Sequence, residues 1–149
     1  MSLFDVVSED IKKAMLAKEK EKLEALRAVK SAFLLARTEE GAGGMLTPEV
    51  ELKIVQKLVK QRRESAEIYQ QQNRKDLADK ELLEASVIEQ YLPAQMSEQE
   101  LEIALKAIIE RIGAKAPSDM GKVMGFATKE LSGKADGRAI SAKVKQLLV

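Results

Sequence analysis

Two glycine- and lysine-containing runs in the last third of the chain carry the residues most suited to chemistry. The first is Ser118-Asp-Met-Gly-Lys-Val-Met-Gly125 and the second Leu131-Ser-Gly-Lys-Ala-Asp-Gly-Arg138. A glycine inside a helix costs roughly 1 kcal/mol relative to alanine, so two of them four residues apart call for a reason. Here they stand among lysines, and a Gly-Lys-Ala-Asp-Gly turn follows. Small residues admit a close backbone approach, while cations and the free amides of a helix start attract negative charge. The combination suits an extended anionic partner, nucleic acid above a metal ion or a small substrate. The same Gly121/Gly125 spacing also matches the small-xxx-small pattern of closely crossing helices, which makes a packing role in a small helical unit the simpler expectation. Met120 and Met124 are then core residues.

Other chemistries are excluded by composition or by spacing. The chain has no histidine, cysteine or tryptophan, so His-assisted nucleophiles, an imidazole base and thiolate metal sites are impossible. Gly121-Lys122 is not a phosphate-binding P-loop, because Ala116 and Val123 stand where that motif needs glycine and Ser/Thr. A second basic stretch spans residues 57–75, with Lys57, Lys60 and Arg63 at helical spacing and Glu64 and Glu67 close by. A salt-bridged, solvated helix face is its default reading, and a phosphate-binding face the lesser one. Neighbouring carboxylates such as Glu9 and Asp10, or Glu98 and Glu102, fall on charged faces with nothing to shift them toward acid–base work. No catalytic constellation, metal site or cofactor site is expected.

The elements that position these residues are helical. Apolar residues recur at three- and four-residue steps and strand formers are sparse. Leu3, Val6, Val7, Ile11, Met15 and Leu16 mark one side of a first helix over about 2–18. A second, through Leu23, Leu26, Val29, Phe33 and Ala36, stops at Gly41-Ala-Gly-Gly44. Thr47 and Pro48 open a long third helix running to about Asn73, and a fourth covers Leu77 to Tyr91. Pro93 sets a boundary. Ser97-Glu-Gln-Glu100 is a capping box for a fifth helix that ends at Gly113. Ser118 is expected to cap a sixth helix and Asp136 a seventh. The fold class is thus all-α, with a four-helix N-terminal domain (1–93) and a small three-helix basic tail domain (94–149).

Charge is nearly balanced overall but not along the chain. Residues 1–110 carry 17 Lys+Arg against 21 Asp+Glu, whereas residues 111–149 carry eight against three, a net +5. The tail is expected to meet an anion while the rest serves as scaffold. The longest apolar run, Ala32-Phe-Leu-Leu-Ala36, is too short to span a membrane. No signal peptide is evident at the N-terminus and no cysteine is available for disulfides, so a cytoplasmic protein is expected.

Four stretches in order, Lys60-Gln-Arg-Arg-Glu-Ser-Ala-Glu-Ile-Tyr69, Arg74-Lys-Asp-Leu-Ala78, Glu89-Gln-Tyr-Leu-Pro93 and the glycine-lysine tail, resemble the YqeY family. Its members are similar to the C-terminal helical and tail region of GatB, a subunit of the tRNA-dependent amidotransferase. The resemblance covers essentially the whole chain and implies an all-helical, two-part fold. It also implies a free-standing version of a tRNA-contacting part, without the domain that performs amide transfer in a glutamine-dependent carbon–nitrogen ligase. Carried over residue by residue, the implied contact surface is Lys122, Lys134 and Arg138, with Gly121, Gly125, Gly133 and Gly137 shaping the backbone. Lys143 and Lys145 extend it.

Asp136 is expected to be structural, because a carboxylate capping a helix occupies the amides a phosphate would need. Phe126 is the only ring in the tail, which disfavours stacking on single strands and fits shape recognition of folded RNA. The expected partner is tRNA or another structured RNA, within an aminoacyl-tRNA or amidotransferase complex. Neither DNA nor a membrane is expected. The rival reading is a protein–protein adaptor whose basic tail docks an acidic partner without RNA.

Overall fold

The computed structural model describes residues 2–39 and 43–149. The order of elements is α1 (Leu3–Leu16), α2 (Lys20–Thr38), α3 (Pro48–Gln71), α4 (Lys75–Glu89), α5 (Glu98–Ile112), a 3₁₀ turn (Pro117–Asp119), α6 (Met120–Glu130) and α7 (Gly137–Leu147). Every regular element among the described residues is thus a helix, in the expected fold class, with no strand among them. They form two compact units, Met1–Leu92 and Pro93–Val149, each with its own apolar core.

In the Met1–Leu92 unit, the Ser2 hydroxyl accepts the Asp5 amide and the Asp5 carboxylate accepts the Ser2 amide, so both ends of a capping box start α1. Thr47 caps α3 by accepting from the Val50 amide at 3.3 Å, with Pro48 in the first turn as expected. Helices α3 and α4 form the most extensive pairing, joined by a short turn in which Asn73 takes φ 58°. The core gathers Val7, Leu26, Val29, Phe33, Val55 and Ile88, all without solvent exposure.

Some expectations shift here. Helix α1 buries Val7 and Ala14, and leaves Met15 and Leu16 exposed, because the last turn runs past the core. Helix α2 ends at Thr38; the Gly41-Ala42 part of the expected stop lies outside the described residues. Helix α4 begins at Lys75 and ends at Glu89, two residues earlier at each end than its apolar pattern indicates.

One buried charge holds this unit together in a way that periodicity does not reveal. Glu51, in the first turn of α3, is only 2% exposed, and its carboxylate accepts the Phe4 amide of α1 at 3.0 Å. It supplies an acceptor to an N-terminal amide that the helix itself cannot satisfy. Over the ring of that same Phe4 lie the Arg37 guanidinium, 3.8 Å from the centroid, and the Lys30 ammonium at 5.6 Å. Tyr91 donates its hydroxyl to Asp10 at 2.6 Å. Burial, reinforced by that bond, raises its pKa above the ordinary phenol value.

In the Pro93–Val149 unit, the Ser97/Glu100 capping box opens α5 as expected, and Gly113 closes it at φ 71°. Leu105, Val123, Ala127 and Val144 have no exposure, and Met120 and Met124 pack against them. The segment before α5 is tied to the α6–α7 turn. Met96 donates its amide to the Lys134 carbonyl at 2.9 Å, and the Gln95 side chain donates to the Gly133 carbonyl at 2.7 Å.

The start of α6 departs from expectation. Ser118 lies inside the 3₁₀ turn and caps nothing; Asp119 precedes the helix without a side-chain cap. Its carboxylate instead accepts the Lys115 and Ala116 amides at 3.0 and 3.2 Å. Those bonds, from Lys115 first and then Ala116, hold the Asp119 pKa below its ordinary value. Pro117 forces the chain into a tight turn first, so the helix starts one step later than serine spacing indicates.

Candidate nucleic-acid interface

Helix α6 has two unlike sides. Val123 and Ala127 are buried, while Gly121, Lys122, Gly125, Phe126 and Lys129 are exposed. At 100° per residue the five exposed positions fall on one continuous face, the glycines beside Lys122 and Lys129 and Phe126 at the edge. A Cβ added at Gly121 or at Gly125 meets nothing within 4 Å. The expected close helix crossing therefore does not occur: the glycines face outward, and α6 packs through its other side. What remains is a strip of bare backbone flanked by two lysines, with Phe126 45% exposed next to it.

The turn and α7 place the remaining residues. Gly133 is buried at φ 77°, a left-handed conformation that disfavours any side chain, so it serves the turn and not a contact surface. Lys134 follows, exposed, its carbonyl anchored by Met96. Asp136 caps α7 by accepting the Arg138 amide at 2.7 Å, which bears out its structural role. Gly137 is the first residue of α7, exposed and without a neighbour near its would-be Cβ. Arg138 and Lys145, seven residues apart, share the outer face of α7, and both are exposed. Lys143 lies elsewhere: its side chain is only 11% exposed and its ammonium sits 3.1 Å from the Glu98 carboxylate of α5.

The electrostatics follow from where the acids are committed. Of the three carboxylates between residues 111 and 149, Asp119 accepts backbone amides, Asp136 caps α7 and Glu130 pairs with Arg111. Lys122, Lys129, Lys134, Arg138 and Lys145 form no salt bridge among the described residues, although Lys122 is near enough to Asp119 to help hold its carboxyl ionised. Lys129 is the cation that motif reading passed over; its position seven residues after Lys122 was the available signal. Glu98 was weighed only as half of a carboxylate pair with Glu102, which itself pairs with Lys106 at 3.4 Å. Its true partner lies 45 residues away.

The basic stretch 57–75 is built differently. Arg63 pairs with Glu89 across the α3–α4 hairpin, and Arg74 pairs with Asp76 at 3.2 Å. The lesser, phosphate-binding reading of this stretch loses Arg63 to an internal partner. Among the described residues no group of three or more His, Cys, Asp or Glu side chains is placed to hold a metal ion. Nor is any described helix long and apolar enough to cross a membrane.

A family model described as Yqey-like protein matches residues 4–148. Among characterised sequences the chain is similar to three fungal proteins named Altered inheritance of mitochondria protein 41, mitochondrial. The one from Clavispora lusitaniae is 35% identical over 116 residues, covering 76% of this chain and 66% of that protein. The one from Pyrenophora tritici-repentis is 27% identical, covering 93% and 77%. The one from Saccharomyces cerevisiae is 29% identical, covering 91% and 71%. The chain thus spans about two thirds to three quarters of the length of these relatives. Their mitochondrial designation overturns the expectation of a cytoplasmic protein. That expectation rested on the absence of cysteines and of a secretory signal, and neither distinguishes one reducing compartment from another.

Proposed function

The chain belongs to the YqeY-like family, and from that premise we propose that it is a helical, non-catalytic binding protein whose C-terminal unit contacts folded RNA, tRNA foremost. The observation that carries the reading is the outer face of α6, where Gly121 and Gly125 leave the backbone open along one side of the exposed Lys122 and Lys129. A phosphate backbone can approach such a strip closely and meet cations on its flank. Lys134, Arg138 and Lys145 add exposed charge that forms no salt bridge among the described residues. With a single ring in the tail, recognition of a folded shape fits better than stacking on an extended strand. Resemblance to the GatB tail selects tRNA among folded RNAs, and an amidotransferase or aminoacyl-tRNA assembly as the setting.

A second reading is favoured by one observation. Phe126 is 45% exposed on the same face, and an exposed ring beside cations also suits a protein partner with an acidic rim around an apolar pocket. Binding of the purified chain to bulk tRNA and to a length-matched unstructured RNA, at two salt concentrations, separates the two. The RNA reading expects selective tRNA binding that weakens with salt and is lost in Lys122→Glu/Lys134→Glu/Arg138→Glu. Weak, unselective binding that vanishes at physiological salt sinks it and leaves the adaptor.

A further inference from the structure

Between the start of α5, the α6–α7 turn and α7 lies a cleft of about 380 Å³. That is near the lower end of the roughly 300–1,000 Å³ usual for small-molecule sites. Met96, Leu101 and the small side chains of Ala139 and Ala142 contribute apolar surface, and Lys134 and Lys143 bring two cations to it beside Asp136, whose carboxylate accepts the Arg138 amide. Lys143 is nearly buried, yet its partner Glu98 is 82% exposed. An incoming anion can therefore take the ammonium while Glu98 swings aside at little cost, since a pair with one solvated member contributes little stability. The displaced carboxylate then becomes an acceptor at the cleft rim.

We propose that this cleft is a nucleotide pocket, taking one unpaired nucleotide of a bound RNA. The phosphate sits at Lys134 and Lys143, one face of the base lies on the Met96, Leu101 and alanine surface, and Glu98 accepts from the base's N–H edge. A simple carboxylate or phosphate ligand would use the two cations but leave the apolar surface and Glu98 idle. A nucleotide uses all three features. The placement of the pocket in an RNA rests on the function proposed above; its chemistry rests on the cleft alone.

The test is titration of the full chain with adenosine, guanosine, cytidine and uridine 5′-monophosphates, with inorganic phosphate as control, followed by backbone amide NMR. Shifts at Met96, Ala139 and Ala142 are expected from the nucleotides, with phosphate binding about tenfold more weakly because it forgoes the base contact. Ala142→Leu, at an exposed helix position that tolerates leucine, fills the cleft and is expected to weaken nucleotide binding about tenfold. Glu98→Gln releases Lys143 while keeping an acceptor, and is expected to tighten nucleotide binding by about threefold, a gain that misfolding cannot produce. Equal shifts from phosphate and nucleotides, or an Ala142→Leu variant that binds nucleotides as wild type does, overturn the pocket.

The two proposals fail separately. If the chain binds tRNA but no nucleotide reaches the cleft, the pocket falls and the RNA function stands. If nucleotides bind the cleft while tRNA does not bind, the pocket stands as a nucleotide site and the RNA function falls.

Discussion

In the Met1–Leu92 unit Arg63, Arg74 and Lys80 each find a carboxylate, Glu89, Asp76 and Glu24 respectively. In the Pro93–Val149 unit Lys106, Arg111 and Lys143 likewise find one, Glu102, Glu130 and Glu98, whereas Lys122, Lys129, Lys134, Arg138 and Lys145 form no salt bridge among the described residues. The aromatic residues differ in the same way: Phe33 has no exposure in the first core, whereas Phe126 is 45% exposed on α6. A lysine-rich run therefore does not declare its use by its own composition. Neighbouring helices decide it, by supplying acids or by having those acids already committed to backbone amides.

Exchanging the two phenylalanines tests this contrast most strongly. Phe33→Ala is expected to cost about 3–5 kcal/mol in denaturant unfolding, the usual result of emptying a fully buried aromatic site. Phe126→Ala is expected to stay within about 0.5 kcal/mol, as an exposed position with no core role should. A large loss at Phe126 would show that α6 packs through the face described here as open.

Glu51→Ala comes next. It leaves the Phe4 amide without its acceptor in a buried setting, and a loss of about 1–3 kcal/mol is expected in the same unfolding measurement. A neutral result would mean that the carboxylate's desolvation cancels what the hydrogen bond contributes.

Gly125→Ala runs in the opposite direction. No neighbour meets the added methyl, so the helix is expected to gain about 0.5–1 kcal/mol, read as a higher Tm. Under the RNA reading the same methyl weakens tRNA binding. Destabilisation by Gly125→Ala would restore the close-crossing interpretation.

The finest discrimination concerns pH. The Asp119 pKa is lowered in the folded chain from the ordinary 3.8, chiefly by the Lys115 and Ala116 amides. The unfolded state then binds more protons than the folded one in that range, so stability rises with pH. The contribution is fully present above the ordinary value and is lost as pH falls through the depressed one. Asp119→Asn should flatten this acid limb of the unfolding profile. An acid limb of equal slope in the variant would assign the dependence to other carboxylates.

Helix type and number were legible in the sequence because 3.6-residue periodicity and local caps are short-range properties. Thr47-Pro48, the Ser97/Glu100 box, Gly113 and Asp136 all act within a few residues of their own position, and all hold. Ser118 misled because a proline one residue earlier imposed a 3₁₀ turn, a conflict between two local signals that spacing alone does not rank. The candidate surface was legible as a list of cations and glycines. It was not legible as a geometry, and Lys143 shows why: its partner Glu98 is near on α5 only after the chain has turned twice.

The amino-acid sequence by itself determined an all-helical chain, a basic stretch over residues 111–149 with few acids, and the absence of histidine and cysteine chemistry. Each follows from composition or from contacts between near neighbours. Tertiary structure alone decided that Gly121 and Gly125 face outward, that Glu51 is buried against the start of α1, and that Lys143 borders a cleft while Lys122 is exposed on α6. These depend on which side of each helix meets its neighbours, and that is set by the joint burial of apolar faces far apart in the chain.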